Sequence, residues 1–322
     1  MSQESANQSE ESTSQSEENA NQSQKSTKVV LNPDGPWYKI VSGFNLPQDF
    51  DLAEDSLKYV AKENDLFIVT FPKCGTTWTQ QIVALILNGG SIADGQVFNL
   101  CPFLELVGRE VVEGMKQPFA IKTHLPYDLQ PKHPKAKYII VFRNPKDVAV
   151  SFYHHHRLIP NQMGKNVSFS QYLKYFMKGE QAYGDYCDWI KSWWPYRNDS
   201  NVLFLLYEDM KSDIRSNILK IASFIGKEYE EKILENGGEI LHQIIKRSSL
   251  ESMKKEVNEE MKKRHLPNDE KECNFIRKGV IGDWTNHFTD DENEQFEKYF
   301  NEKIDEEEIK KLWSNYNIFN RN

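Results

Sequence analysis

Four short apolar runs recur along the chain: Asp65-Leu-Phe-Ile-Val-Thr-Phe71, Phe119-Ala-Ile-Lys-Thr123, Tyr138-Ile-Ile-Val-Phe142 and Val202-Leu-Phe-Leu-Leu-Tyr207. Apart from the weaker Phe119–Thr123, they are nearly continuous rather than alternating and rich in β-branched and aromatic residues. Such runs predict strands buried on both faces. Each is followed by loop or helix signals. After Phe71, residues 72–77 form a turn, and Trp78 to Leu87 has helical composition, stopped by Asn88-Gly89-Gly90. Strands alternating with helices predict an α/β fold, a central parallel sheet flanked by helices, with ligands beyond the carboxyl ends of the strands. No internal repeat of 20 to 50 residues is present.

Residues 1–31 are mostly Ser, Gln, Asn and Glu, with no aromatic residue. Such a stretch cannot bury enough surface to offset its conformational entropy and is expected to be a disordered tail. Residues 32–322 lack a Gly/Pro/Ser linker and are expected to form one domain. The stretch 252–271 is crowded with Lys and Glu, which predicts a solvated helical face. Because it leads toward Arg277, it is also a candidate lid.

Charge and cysteine content narrow the classes. The chain of 322 residues has 40 Lys+Arg against 48 Asp+Glu, a formal charge of −8. The first thirty residues hold five Glu and two Lys, leaving the remainder only mildly acidic. That balance argues against a general nucleic-acid binder, which needs a clustered basic excess. Four Cys without a CxxC pair fit reduced thiols and imply no metal site. The longest apolar stretch, Ile82 to Leu87, is far shorter than the roughly 20 residues of a membrane helix. These features lead to the expectation of a soluble, cytoplasmic protein without a membrane partner.

The turn after the first buried strand carries the chemistry. Backbone N–H groups at a helix N-terminus favour an anion through unpaired donors and the helix dipole. Gly75 permits a close turn, Lys73 adds a point charge, and Thr76 and Thr77 add hydroxyl donors. A phosphate-like group is expected there. The spacing is not GxxxxGK[ST], since Lys73 precedes Gly75 by two positions, so a standard nucleotide triphosphatase is disfavoured. Cys74 as a phosphatase-like nucleophile would need an Arg about six residues on, where Gln80 stands.

Five ordered motifs now resemble the cytosolic sulfotransferase family. The loop reads FPKCGTTW, residues 71–78, where the family has YPKSGTTW. The run Arg143-Asn-Pro-Lys-Asp-Val-Ala-Val-Ser151-Phe-Tyr-His154 matches RNPxDxxxSxYxH. Lys122-Thr-His-Leu-Pro126, Tyr207-Glu-Asp-Met210 and Arg277-Lys-Gly-Val-Ile-Gly-Asp-Trp284 follow the family's KTHLP, YEDM and RKGxxGDW. The resemblance implies a P-loop-related sulfotransferase domain. Its activity would be transfer of a sulfuryl group from 3'-phosphoadenosine 5'-phosphosulfate to a hydroxyl or amine of a small acceptor, leaving 3'-phosphoadenosine 5'-phosphate.

The same resemblance implies roles. Lys73, with the loop residues Cys74, Gly75, Thr76 and Thr77, would hold the phosphosulfate and stabilise the leaving oxygen. His124 would be general base, and Lys122 would assist at the sulfuryl group. Arg143 and Ser151, joined by Arg277, Lys278 and the backbone at Gly279, would clamp the 3'-phosphate. Adenine would stack on Trp78, with Tyr207 and Ser248 near its edge and Leu250 where the family usually has Phe. Phe103, Leu106 and His155 would border the acceptor pocket. The run His154-His155-His156 invites a metal reading, but consecutive helical residues point about 100° apart and cannot converge on one ion.

Two departures stand out. Cys74 replaces the family's Ser. Either the position offers only its N–H, or Lys73 and the helix N-terminus lower the thiol pKa and make it oxidisable. The family's short dimer motif is also altered: residues 285–294 lack its Lys and its Val, which predicts a monomer or a different, weak dimer. A nucleotide kinase, a nucleotide-binding protein without activity, and a membrane-bound carbohydrate sulfotransferase are the alternatives. The first lacks a Walker lysine, the second is disfavoured by the presence of Lys73, His124 and Arg143, and the third lacks an anchor segment.

Overall fold

Along Leu66-Phe-Ile-Val-Thr70 every side chain is buried, and successive side chains go to opposite faces. Phe67 and Val69 join one apolar cluster while Leu66 and Ile68 join another. Tyr138, Ile140 and Phe142 repeat the first allegiance, Ile139 and Val141 the second. This division explains why the runs read as continuous: both faces are core.

The molecule is a computed structural model that describes residues 27–159, 161–265, 274–316 and 318–319. An antiparallel sheet of β1 (Lys28–Leu31), β2 (Trp37–Val41) and β3 (Phe44–Leu46) comes first. It is followed by a parallel sheet of β4 (Leu66–Thr70), β5 (Ile121–Thr123), β6 (Lys137–Phe142) and β7 (Val202–Leu206), in spatial order β5-β4-β6-β7. Register sets Phe67 beside Ile121 and Tyr138, and Phe142 beside Leu206. Among the described residues, the helices of eight or more residues are α1 (Thr76–Leu87), α2 (Pro145–Leu158), α3 (Phe169–Lys178), α4 (Tyr186–Trp193), α5 (Ile214–Ile225), α6 (Lys227–Arg247), α7 (Leu250–His265) and α8 (Asp290–Lys303).

One face of the sheet is covered by Phe152 of α2, Tyr172 and Phe176 of α3, Trp189 of α4, and Phe296 and Phe300 of α8. The other is covered by Ile82 and Leu85 of α1, Ile218 and Ile221 of α5, and Leu241 and Ile244 of α6. Each fully buried Leu, Ile or Phe contributes about 1.5–3 kcal/mol, so both layers are anchored by packing rather than by helix propensity. Lys146 of α2 is wholly buried. Its ammonium donates to Glu297 and to the carbonyl of Ile318, both at 2.6 Å, and lies 4.2 Å from the ring centre of Trp284.

Two sequence expectations change, and one hairpin carried no expectation. Strand β1 lies inside the stretch assigned to the tail; all four of its residues pair with β2, from Lys28↔Ile40 to Leu31↔Trp37. Residues 1–26 of that tail lie outside the described residues. The β2–β3 hairpin gave no strong signal, because its two-residue turn is Ser42-Gly43, at φ 52° and 83°, rather than Asn-Gly. Finally, α7 is not simply a solvated face. Met253, Val257 and Met261 recur every four residues and pack toward Trp78, Phe98 and Phe275. Residues 266–271 of the candidate lid fall outside the described residues.

Candidate active site

All four parallel strands end at candidate chemistry: β4 at the 71–78 loop, β5 at His124, β6 at Arg143 and β7 at Tyr207. Gly75, at φ 92°, is the N-cap of α1, and Lys73 is also left-handed at φ 71°. A Cβ on Gly75 would lie 2.8 Å from the Tyr207 ring, so glycine is required twice over. The turn points the first N–H groups of α1, at Thr76, Thr77 and Trp78, past the end of the helix, where no intrahelical carbonyl can meet them. The Thr76 and Thr70 hydroxyls bond at 2.6 Å.

Cys74 departs from its expected place. Every other candidate residue lines one cavity of about 620 Å³, but Cys74 does not. Its N–H closes the turn onto the Phe71 carbonyl at 3.3 Å, and its buried thiol donates to the Tyr186 hydroxyl at 3.3 Å. Burial pushes the thiol up to about 12, the reverse of the lowering expected from Lys73 and the helix N-terminus.

Arg143 joins the loops around the cavity. Its guanidinium donates to the Lys73 carbonyl at 3.0 Å and the Val280 carbonyl at 3.4 Å, and its carbon lies 4.4 Å from the Tyr207 ring centre. Its Nε is buried without a hydrogen-bond partner. Asn144 caps α2 by accepting the Asp147 N–H at 2.8 Å, with Pro145 at the first helical position. Asp147 in turn accepts the Gly282 N–H at 2.7 Å and the Trp284 N–H at 3.0 Å, tying the 277–284 loop to α2. Within that loop Asp283 accepts from Arg277 at 2.5 Å and Lys278 at 2.6 Å. Burial pushes the Asp283 carboxyl up, but bonds from these two cations hold it well below the usual range. Gly279 has φ 62°, and a Cβ there would lie 2.7 Å from Leu250. Trp78 donates to the Ser248 carbonyl at 2.8 Å and meets Tyr207 edge-on at 5.6 Å.

On the other side of the cavity, His124 lies between Phe103 and Tyr183, with ring centres 4.9 and 5.0 Å away. Its Nδ1 is 2.7 Å from the Thr70 carbonyl. A carbonyl only accepts, so Nδ1 carries the proton and Nε2 is the free lone pair. Burial, then the charge of Lys122, pushes His124 well below the ordinary histidine value. The Lys122 ammonium sits 3.5 Å over the Phe103 ring. His155 lies on α2 in the cavity wall, beside Phe275 at 5.6 Å. Leu106 is at the rim, 37% exposed. The three successive histidines lie on α2, and no group of three or more His, Cys, Asp or Glu among the described residues could hold a metal.

Sequence reasoning quoted Asn144, Asp147, Glu208 and Asp283 within motifs but gave them no work. Glu208 is fully buried and accepts the Asn144 N–H at 2.9 Å and the Trp313 indole at 3.1 Å. Glu105 was missed altogether: it is buried and accepts the His124 N–H at 2.6 Å.

Comparison with known proteins places the chain among relatives of one kind. The family model described as "Sulfotransferase domain" matches residues 63–308. Sulfotransferase 1E1 of Cavia porcellus is 37% identical over 260 residues, covering 76% of this chain and 85% of that protein. The amine sulfotransferase of Oryctolagus cuniculus is 34% identical over 280 residues, covering 82% and 89%. Among solved structures, mouse sulfotransferase SULT7A1 complexed with PAP superposes with a TM-score of 0.71 at 30% identity, covering 86% of this chain and 97% of that one. Retinol dehydratase in a complex with retinol and PAP gives 0.66 at 25% identity, covering 85% and 91%.

Proposed function

The chain belongs to the sulfotransferase family and uses 3'-phosphoadenosine 5'-phosphosulfate, and from this premise we propose that it sulfates a hydroxyl or amine of a small acceptor with His124 as general base. The observation that carries the reading is the fixed tautomer of His124. With Nδ1–H held by the Thr70 carbonyl, Nε2 is a neutral lone pair in the same cavity as Lys73, Lys122 and the N-terminus of α1.

The residues present fit the donor. The left-handed turn at Lys73 and Gly75 leaves the first N–H groups of α1 without intrahelical partners, and Arg143 keeps a buried donor atom unmatched. Lys73 and the N–H groups of Thr76 to Trp78 hold the phosphosulfate end. Arg143, Ser151, Arg277, Lys278 and the Gly279 backbone hold the 3'-phosphate; Trp78, Tyr207, Ser248 and Leu250 enclose adenine. When bound, the donor supplies an activated sulfuryl group on a good leaving oxygen. His124 takes the acceptor proton at Nε2, Lys122 balances charge at the sulfuryl oxygens, and Lys73 balances it at the leaving oxygen.

Phe103, Leu106 and His155 wall the acceptor end, an apolar surface interrupted by one neutral imidazole. The named substrates of the relatives, an amine and retinol, define the screen: a phenol such as 2-naphthol, a hydroxysteroid, retinol and an aromatic amine. The further reading is of a cytoplasmic monomer with a single domain and an N-terminal extension. Among the described residues no helix is long and apolar enough to cross a membrane.

Calorimetry with 3'-phosphoadenosine 5'-phosphate, beside ATP and an Arg143→Ala variant, tests the donor assignment. The bisphosphate should bind tightly and ATP weakly, and the variant should lose about 1.5–3 kcal/mol. Preference for ATP overturns the reading. His124→Ala should cost about 10²–10⁴ in kcat at unchanged bisphosphate affinity.

A further inference from the structure

We propose that Glu105 is the positioning residue of the acceptor side: its carboxylate fixes the strand end that carries Lys122 and His124 and supplies Lys122 with its counter-charge. The inference rests on the proposed roles of those two residues and adds a third that neither motif nor comparison assigns.

Glu105 lies on the single helical turn Leu104–Val107, within the segment that walls the acceptor pocket, and is 0% exposed. Its Oε1 accepts the His124 N–H at 2.6 Å and the Thr123 hydroxyl at 3.1 Å. That hydroxyl accepts the Leu125 N–H at 3.1 Å. Three successive residues after Lys122 therefore hang from one carboxylate. The same segment is stitched to Lys122 from the other side, because the Lys122 N–H donates to the Pro102 carbonyl at 2.8 Å and Phe103 forms a parallel bridge with Lys122.

The second carboxylate oxygen, Oε2, is buried with no hydrogen-bond partner. A buried carboxylate with an unmatched oxygen is costly unless an opposite charge balances it. Here the opposing charge is Lys122, which acts through space rather than as an ion pair within 4 Å, its ammonium lying over the ring of Phe103 two residues before Glu105. The charged and titratable groups of the neighbourhood are Glu105, Lys122, His124, Lys73, His155 and Tyr183, with Asp49 acting on Tyr183. Burial pulls the Lys122 amine down, and Glu105 opposes that pull; burial pushes Glu105 up, and bonds from the His124 segment together with Lys122 oppose it. The pair thus keeps a cation at the sulfuryl position inside a desolvated wall.

The test compares wild type, Glu105→Gln, Glu105→Asp and Thr123→Val, using the acceptor from the screen with the highest turnover. Kcat and KM are measured across pH, with 3'-phosphoadenosine 5'-phosphate affinity by calorimetry. In wild type kcat falls as pH rises through the Lys122 value, which lies below the ordinary lysine value of about 10.4. Removing the carboxylate charge in Glu105→Gln should move that alkaline limb to lower pH and reduce kcat by on the order of a hundredfold, with bisphosphate affinity unchanged. Thr123→Val and Glu105→Asp retain the charge, so both should lower kcat and leave the limb in place. Wild-type kcat and limb in Glu105→Gln overturn the proposal. A limb that moves in Thr123→Val also overturns it, and that arm stands even where the Gln variant fails to fold. Failure of the underlying reading looks different: wild type itself then shows neither bisphosphate binding nor sulfuryl transfer.

Discussion

Gly75 carries two constraints at one position, a left-handed φ of 92° and a Tyr207 ring 2.8 Å from where a Cβ would stand. Gly75→Ala should cost about 1–3 kcal/mol in backbone strain and push Tyr207 off its contact with Arg143. Thermal unfolding reads the first effect, and a weakened bisphosphate titration reads the second. His124 gives a pH prediction of defined sign. The neutral ring is the active form, and burial lowers the folded value, so neutral imidazole persists below pH 6.5. The acid limb of kcat should therefore lie well below the ordinary histidine value. A limb at 6.5 contradicts a buried, Thr70-bound imidazole. At this scale the sequence showed which side chains meet in one cavity, because they recur in short motifs. It did not show Glu105, whose value lies in accepting an N–H from a residue 19 positions away.

The helices that frame the site are fixed by their first turns. In α2 the sequence Asn144-Pro145-Lys146-Asp147 reads as a cap, a proline at the first position and an acidic residue near the helix dipole. What cannot be read from it is that Asp147 spends both oxygens on a loop more than 130 residues later. Asp147→Ala leaves two N–H groups without an acceptor, a half-buried one at Gly282 and a buried one at Trp284. It should cost about 1–3 kcal/mol for each unmatched group, speed hydrogen exchange at Gly282 and Trp284, and weaken bisphosphate binding through Arg277 and Lys278. Unchanged exchange at those two amides contradicts the role. The buried strands were legible, since a run of apolar residues needs core on both faces. The β1–β3 sheet was not, since its edge strand leaves Val29 and Leu31 more than half exposed and its turn lacks the usual residues.

At the scale of the whole molecule, one cavity gathers residues from Pro47 to Val280, so ligand binding and global stability are linked. A bisphosphate at a hundred times its Kd should stabilise the fold by about 2.7 kcal/mol, read as a raised Tm, and ATP at the same concentration should not. Thr289 and Glu292 form the capping box of α8, which gives these two residues near the altered dimer motif an intramolecular task. Sedimentation velocity should show a monomer, and a tight dimer contradicts that reading. The architecture was legible because strand ends and motifs coincide. The candidate lid 252–271 was marked only by its place before Arg277; that its Met stripe packs toward Trp78 was not legible, since α7 reads as a charged surface helix.

The bond from Lys146 to the Ile318 carbonyl spans 172 positions, and the Asp147 bonds to Gly282 and Trp284 span 135 and 137. On a ribosome these partners are made last. At translation rates of 5–20 residues per second, a nascent chain that has completed β6 waits roughly ten to thirty seconds before Lys146 and Asp147 meet their acceptors and donors. Throughout that interval the Lys146 ammonium and the Asp147 carboxylate lack these partners and are met by water instead. A chaperone that shields α2 during synthesis therefore has a defined interval in which to act.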